Sequence, residues 1–416
     1  MPMSERIASP EELKELAKKA SDKKAALGED IDISTYESEA DEHDYQKDPS
    51  RISPEQKQQM VNVGVTLDDL GQRGGTFLQV DQSVIHSSTS QEGVEVMGMA
   101  QALETHPWLK DYWWKAVSVD ADKYTANVEL APTSGYFIRT LPGVKSVNPV
   151  QACLYLGHKN LAQKVHNIII AEEDSELHII TGCATHPMQP TGLHLGVSEF
   201  YIKKGARITF TMIHNWAPNI AVRPRSAAIV EEDGVFLSNF VCMKPLRTLQ
   251  MYPAARCVGA NSVVRFNSVL VAPRGTTLDS GSRVLLQGKG SRAEIISRAI
   301  TTGGDIIARG YIQGSAPEVK GHLECRGLIL SEELGGVIHA IPELKGDLAG
   351  VDLSHEAAVG KIAEEEVEYL MARGLTRDEA TATIVRGFLR VDIEGLPPEL
   401  AAELKQAIET SEEEML

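Results

Sequence analysis

The chain has 416 residues, 42% of them apolar and 24% charged, with a net charge of −17. That length is comfortable for two or three domains, and the acidic balance argues against a nucleic-acid or anionic-membrane partner. The five cysteines include no CxxC pair; they do not describe a disulfide framework and point to a reducing cytoplasm. "MPMSERIASPEELKEL" has no apolar signal core, and no stretch approaches the roughly 18 apolar residues of a membrane span, so a soluble cytoplasmic protein is expected.

Two capping signals open the chain. In "SPEELKELAKKA" Ser9 caps, Pro10 sits in the first turn and Glu12 completes a capping box; Ser53, Pro54 and Gln56 repeat the signal. Between them, "DIDISTYESEADEHDYQKDPS" is acidic and poor in large apolar residues, which predicts an exposed linker. "ALETHPWLKDYWWKAV" reads as an aromatic helix or turn anchoring this region to the β-rich part of the chain.

From about Gly143 short β-rich runs succeed one another: "VQACLYL", "VHNIIIA", "ELHIITGC", "SVVRFNSVLVA", "DIIARGYIQG", "HLECRGLIL". Late in the chain the turns at Gly290, Gly304 and Ala316–Pro317 recur every 12–14 residues. No long helical pattern interrupts them, which argues against a βαβ sheet. An antiparallel sandwich would also give short strands, but hairpin dipeptides are scarce and the strands are apolar on more than one face. The pattern favours a mainly β chain whose core is a right-handed parallel β-helix, or solenoid, flanked by helical ends. The expected organisation is an N-terminal helical region with its linker over 1–95, the β-helix over 96–353 and a helical domain over 354–416.

The C-terminal helices begin with "AEEEVEYLMARG", which puts Val367, Leu370 and Met371 on one face and stops at Gly374. Thr376 and Glu379 form another capping box, and Ala380, Ile384 and Phe388 continue a stripe. Pro397–Pro398 start a last helix. From residue 351 onward there are 16 Asp and Glu against 6 Lys and Arg, an excess that usually means solvated helix faces.

Cys153, Cys183, Cys242 and Cys257 stand in apolar runs and read as small buried hydrophobes. Cys325 differs, because His322, Glu324 and Arg326 surround it in sequence, and a nearby cation such as Arg326 favours a reactive thiolate. Thirty residues on, "LSHEAAVG" supplies His355 and Glu356. A histidine after Ser354 is read first as part of a helix cap; as a ligand, imidazole suits iron and the glutamate adds a hard oxygen. The chain has no P-loop, no G-x-S-x-G and no zinc pair at C-x-x-C or H-E-x-x-H spacing, so energy input must come from a partner.

The run "SRAEIISRAI…GGDIIARGYIQG…HLECRGLIL…IHAIPEL…LSHEAAVGKIAEEEVEYLMARGLTRDEATATIVRGF", joined upstream by "YWWKAV…DADKYTA…GYFIRTLPGVKSVNPVQACLYL", resembles the SufB/SufD family over about residues 50–395. These are scaffold subunits of SUF-type iron–sulfur cluster assembly, and the short form with mixed features resembles the archaeal single-subunit version. The resemblance implies a β-helix with helical ends, a SufC-type ABC ATPase docked on the C-terminal helices, and no catalysis by the chain itself. It implies that Cys325 and His355, with Glu356 beside it, hold a nascent, transient cluster. A homodimer would present two Cys325 and two His355, the four ligands a [4Fe–4S] cluster usually takes, for delivery to apo iron–sulfur proteins.

The same resemblance places Cys183, in "TGCATHP", where a persulfide-accepting cysteine feeds sulfur along the solenoid interior. "MIHNW" keeps Trp216 but puts His214 in place of a glutamine. The expected tunnel arginine and asparagine are Tyr155 and Gly157, and the tunnel lysine falls on Pro224, between Arg223 and Arg225. These departures weaken the case for a polar conduit and leave direct use of sulfide open. Two alternatives compete: a SufD-like structural partner that binds no cluster, and a β-solenoid carbohydrate enzyme, which would need clustered carboxylates on one solenoid face.

Overall fold

A computed structural model describes residues 9–67, 73–188, 190–330 and 335–389. It is a β-solenoid of about eight turns with helices at both termini. Successive coils add strands to each of two largely parallel sheets, two coils giving the second sheet a pair of short strands, Ile220–Val222 with Arg225–Val230 and Thr248–Met251 with Ala254–Cys257. The first sheet runs from Gly75–Val80 through Val150–Leu156, Glu176–Thr185, Arg207–Asn215, Val235–Cys242, Val263–Pro273 and Arg292–Thr302 to Lys320–Ile329 and Asp352–Gly360. The second contains Ala162–Ala171, Gly192–Ile202, Thr277–Leu286, Asp305–Gly314 and Val337–Gly346. Antiparallel pairing marks the N-terminal end, where Gly75–Val80 meets Ser83–Thr89 and Val94–Gly98 meets Tyr136–Thr140.

Val263 stacks beside Arg292, Arg292 beside Lys320 and Lys320 beside Asp352, so successive coils take 29, 28 and 32 residues. The 12–14 residue turn spacing is therefore half a coil: the turns join strands of different sheets, which explains the scarcity of hairpin dipeptides. Asp174, Asp233 and Asn261 occupy left-handed corners with φ near 55°, a conformation short Asx side chains tolerate. Their amides continue the ladder, Asp174 N–H donating to the Lys204 carbonyl and Asp233 N–H to that of Ala260.

Period-2 alternation sends Leu177, Ile208, Phe236 and Val264 into the space between the sheets, each such side chain contributing about 1.5–3 kcal/mol by leaving water. Helices cover the outer faces. The region of α1 (Pro10–Ala20) and α4 (Lys123–Glu129) shields the second sheet near Leu193, Leu195 and Val197. α3 (Met99–Thr105) adds Met99 and Ala102 against Phe137 and Ile168. The first sheet is covered around α2 (Pro54–Val61) by Met60 and Val63, and by Val385 and Phe388 of α6 (Arg377–Leu389), which follows α5 (Glu364–Met371). The aromatic segment is anchored through Glu199, whose buried carboxylate accepts the N–H groups of Trp114, Ala116 and Val117 at 2.6–2.9 Å.

Three expectations change. The acidic stretch after Ile31 is strapped to the solenoid instead of hanging free: Glu37 N–H donates to the Asn160 carbonyl and Gln46 N–H to that of Ile85. Side chains add to these ties: Tyr45 donates its hydroxyl to the Ser87 carbonyl at 2.9 Å, and His43 meets Asp81 at 3.1 Å. Strands begin at Gly75, inside the region 1–95, because Phe77, Leu78 and Val80 can pair with the first coil. At the other end the strand pattern continues to Gly360 and helix starts only at Glu364. Ser354 caps no helix, since the neighbouring strand offers its backbone a ladder. The helix expected from Pro397 lies outside the described residues.

Candidate functional site

Along Lys320–Ile329, burial alternates strictly up to Gly327. Leu323 and Cys325 face the interior, Cys325 with 2% exposure; His322, Glu324 and Arg326 face out. Parallel in-register stacking sets Ser297 beside Cys325 on one side and Ala357 on the other, and sets His355 beside Leu323. Cys325 and His355 thus project from one face of adjacent strands, offset by two residues, with Cα atoms about 8 Å apart from strand spacing and rise. His355 is exposed because its coil is the last.

Glu356, one residue on, lies on the opposite face, where its carboxylate pairs with Arg326 at 3.0 Å. The expectation that it joins the two other donors is corrected by alternation itself. The outer face carries a ladder of charge: Arg298 to Glu324 at 2.7 Å, Arg326 to Glu324 at 2.7 Å, then Arg326 to Glu356. Burial pushes the Cys325 thiol up to about 11, with the Glu324 carboxylate adding to the shift and the Arg298 guanidinium opposing it. The preformed thiolate expected from Arg326 is therefore not present at neutral pH, because desolvation outweighs the cation. Sequence reading missed Arg298; the 28-residue stagger between coils is the signal that places it.

Both strands of the terminal coil are sheet edges. Among the described residues Asp352–Gly360 ends the first sheet, and Val337–Gly346 pairs only with Asp305–Gly314. Val337, Leu348 and Val359 are exposed there. Among the described residues no three His, Cys, Asp or Glu side chains come together as a metal site.

Cys183 also faces inward, beside Leu154 and His214, and His214 in turn adjoins Cys242. It lines an internal cavity of about 50 Å³ with Thr181, Met212, His214 and Ser268, room for about three waters. Burial raises the Cys183 thiol above the range of an exposed cysteine and holds His214 uncharged, with His194 adding to the effect; neither ring nitrogen of His214 has a hydrogen-bond partner. Five strand spacings, about 24 Å, separate Cys183 from Cys325 along the first sheet. Among the described residues no Asp, Glu, Lys or Arg lines this cavity. Tyr155 packs on the outer face of its strand, the Gly157 amide donates to Asp81, and Pro224 contributes a neutral wall. Arg223 is bound to the Thr248 carbonyl and Arg225 to Asp122.

Fold and site together describe a parallel β-solenoid whose open end carries a cysteine and a histidine from successive coils. The family described as SUF system FeS cluster assembly, SufBD core domain matches residues 154–388. An iron–sulfur cluster assembly SufBD family protein of Methanothermobacter thermautotrophicus is 52% identical over 95% of this chain and 97% of its own length. One from Archaeoglobus fulgidus is 53% identical over 86% and 96%. The iron–sulfur cluster assembly protein SufB of Bacillus subtilis is 27% identical over 89% and 80%. The chain belongs to the SufBD family of iron–sulfur cluster assembly proteins. Among the described residues no helix is long and apolar enough to cross a membrane.

Proposed function

We propose that this chain is a scaffold on which an iron–sulfur cluster is built and from which it is passed to apo iron–sulfur proteins in the cytoplasm. The observation that carries this reading is the placement of Cys325 and His355 on one face of neighbouring strands at an unpaired solenoid end. Two long open edges invite a second copy. A homodimer then supplies two thiolates and two imidazoles, enough for a [4Fe–4S] cargo. The chain hydrolyses nothing itself: a SufC-type ABC ATPase, docked on α5, α6 and the residues beyond, supplies the energy. Tyr369 and Met371, exposed on α5, suit that contact. Glu356 serves the charge ladder and is not counted as a ligand.

A SufD-like partner that carries no cluster is the second reading, favoured by the lack of a three-donor site among the described residues. Co-expression with the ATPase, anaerobic purification and Mössbauer spectroscopy separate the two. A cluster signal in the wild-type complex that disappears in Cys325→Ser supports the scaffold, and an iron-free complex supports the structural partner.

A further inference from the structure

The outer-face ladder runs from a covered helix to an exposed edge. Arg298 lies under α6, its guanidinium carbon 6.0 Å from the centre of the Phe388 ring. Arg298 and Glu324 side chains are 14% and 13% exposed, whereas Arg326 and Glu356 are 44% and 56% exposed. The zigzag crosses three consecutive strands and ends on Asp352–Gly360, the strand beside Cys325. Other side-chain ties on that strand are weakly held: His322 to Ser354 at 2.9 Å and Lys320 to Asp352 at 3.8 Å, both exposed. Its far edge pairs with no strand among the described residues.

We propose that Arg298, Glu324 and Arg326 are positioning residues that latch the terminal strand beside Cys325, and that Phe388 of α6 holds the latch shut by covering Arg298. The inference deepens the scaffold reading and rests on it for the need to uncover Cys325. The charges of an ion pair shielded from water act on each other with little screening, and admitting water weakens that attraction. When α6 shifts, water reaches Arg298, the Arg298–Glu324 contact weakens, and Glu324 no longer anchors Arg326 and, through it, Glu356. A clasp between Arg377 and Glu364 at 2.6 Å makes α5 and α6 one unit, so a force on either helix reaches Phe388.

The test is native-state labelling with iodoacetamide, read cysteine by cysteine by mass spectrometry on the full-length chain carrying Arg298→Met or Phe388→Ala. Both variants are expected to label Cys325 about tenfold faster or more, with Cys153, Cys183, Cys242 and Cys257 unchanged. The sign is diagnostic for Arg298→Met, because losing that positive charge would by itself disfavour the thiolate and slow the reaction. Unchanged or slower Cys325 labelling in both variants overturns the latch, as does a parallel rise at all five cysteines, which would report loosening of the whole solenoid. Cluster formation that survives Cys325→Ser, alongside faster labelling in Arg298→Met, would leave the latch standing and defeat the ligand reading instead.

Discussion

The proton on Cys325 makes the most direct quantitative prediction. Its thiol is raised from 9.0 to about 11, a hundredfold change in acidity, so at pH 8 about one molecule in a thousand carries the thiolate, against about one in ten for an ordinary thiol. The alkylation rate of Cys325 should therefore climb about tenfold per pH unit from pH 8 to 10 without levelling near 9. Burial slows the reaction at every pH alike, so the slope and not the absolute rate is diagnostic. The folded state holds this proton more tightly than the unfolded chain does. Its contribution, about 3 kcal/mol, is complete below pH 9 and is lost as pH rises through 11. Denaturant titrations of wild type and Cys325→Ala at pH 8 and 11 should converge by about that amount. Iron(II) must displace the same proton, so its affinity should rise about tenfold per pH unit between 7 and 9. A rate plateau at or below pH 9 would refute the reasoning, because it would mean that Arg298 outweighs burial and the thiolate is preformed.

His355→Ala should lower the iron retained after anaerobic reconstitution, and Cys325→Ser should abolish the cluster absorbance, both checked by iron analysis and visible spectra. Cys183→Ala should leave sulfide-fed cluster formation intact, since no charged side chain among the described residues lines its cavity; complete loss in that assay would restore a sulfur relay. Gly182→Ala puts a methyl 2.2 Å from Val63 Cγ2 and 3.1 Å from the Val63 carbonyl oxygen, and should cost about 1–3 kcal/mol by urea titration. Truncation after Gly360 should abolish capture of the ATPase in pull-downs while circular dichroism keeps the β signal.

Local signals were legible where a few adjacent residues decide the outcome. The capping boxes at Ser9 with Glu12 and at Thr376 with Glu379 form as their spacing requires, as does the Ser53 cap. Strand character was legible from apolar runs, but the coil period was not, because a turn between sheets has the same composition as a turn within one. Without that period, Arg326 reads as the cation acting on Cys325, although Arg298, 27 positions earlier in the chain, is the one that opposes the shift in its thiol. Glu356 was paired with His355 on adjacency alone, where a strand separates neighbours onto opposite faces. The strap after Ile31 docks through backbone hydrogen bonds and polar side chains such as Glu37, His43 and Tyr45, which leave little trace in an apolar pattern.

The geometry also explains why such a site would hold its cargo briefly. Burial keeps the Cys325 thiol protonated, and a cluster held there would need donors beyond Cys325 and His355 of one chain. If two copies join edge to edge through Asp352–Gly360, three strand spacings, about 14 Å, separate the two Cys325 residues. Metal–sulfur bonds near 2.3 Å cannot close that gap around one cluster. Four-donor ligation therefore requires the terminal strand to move aside, and the charge ladder across it makes that movement conditional on where α6 sits. A thiol that would bind iron only by giving up its proton, behind a neighbouring strand that must lift before its twin can approach, would release the cluster when either condition lapses.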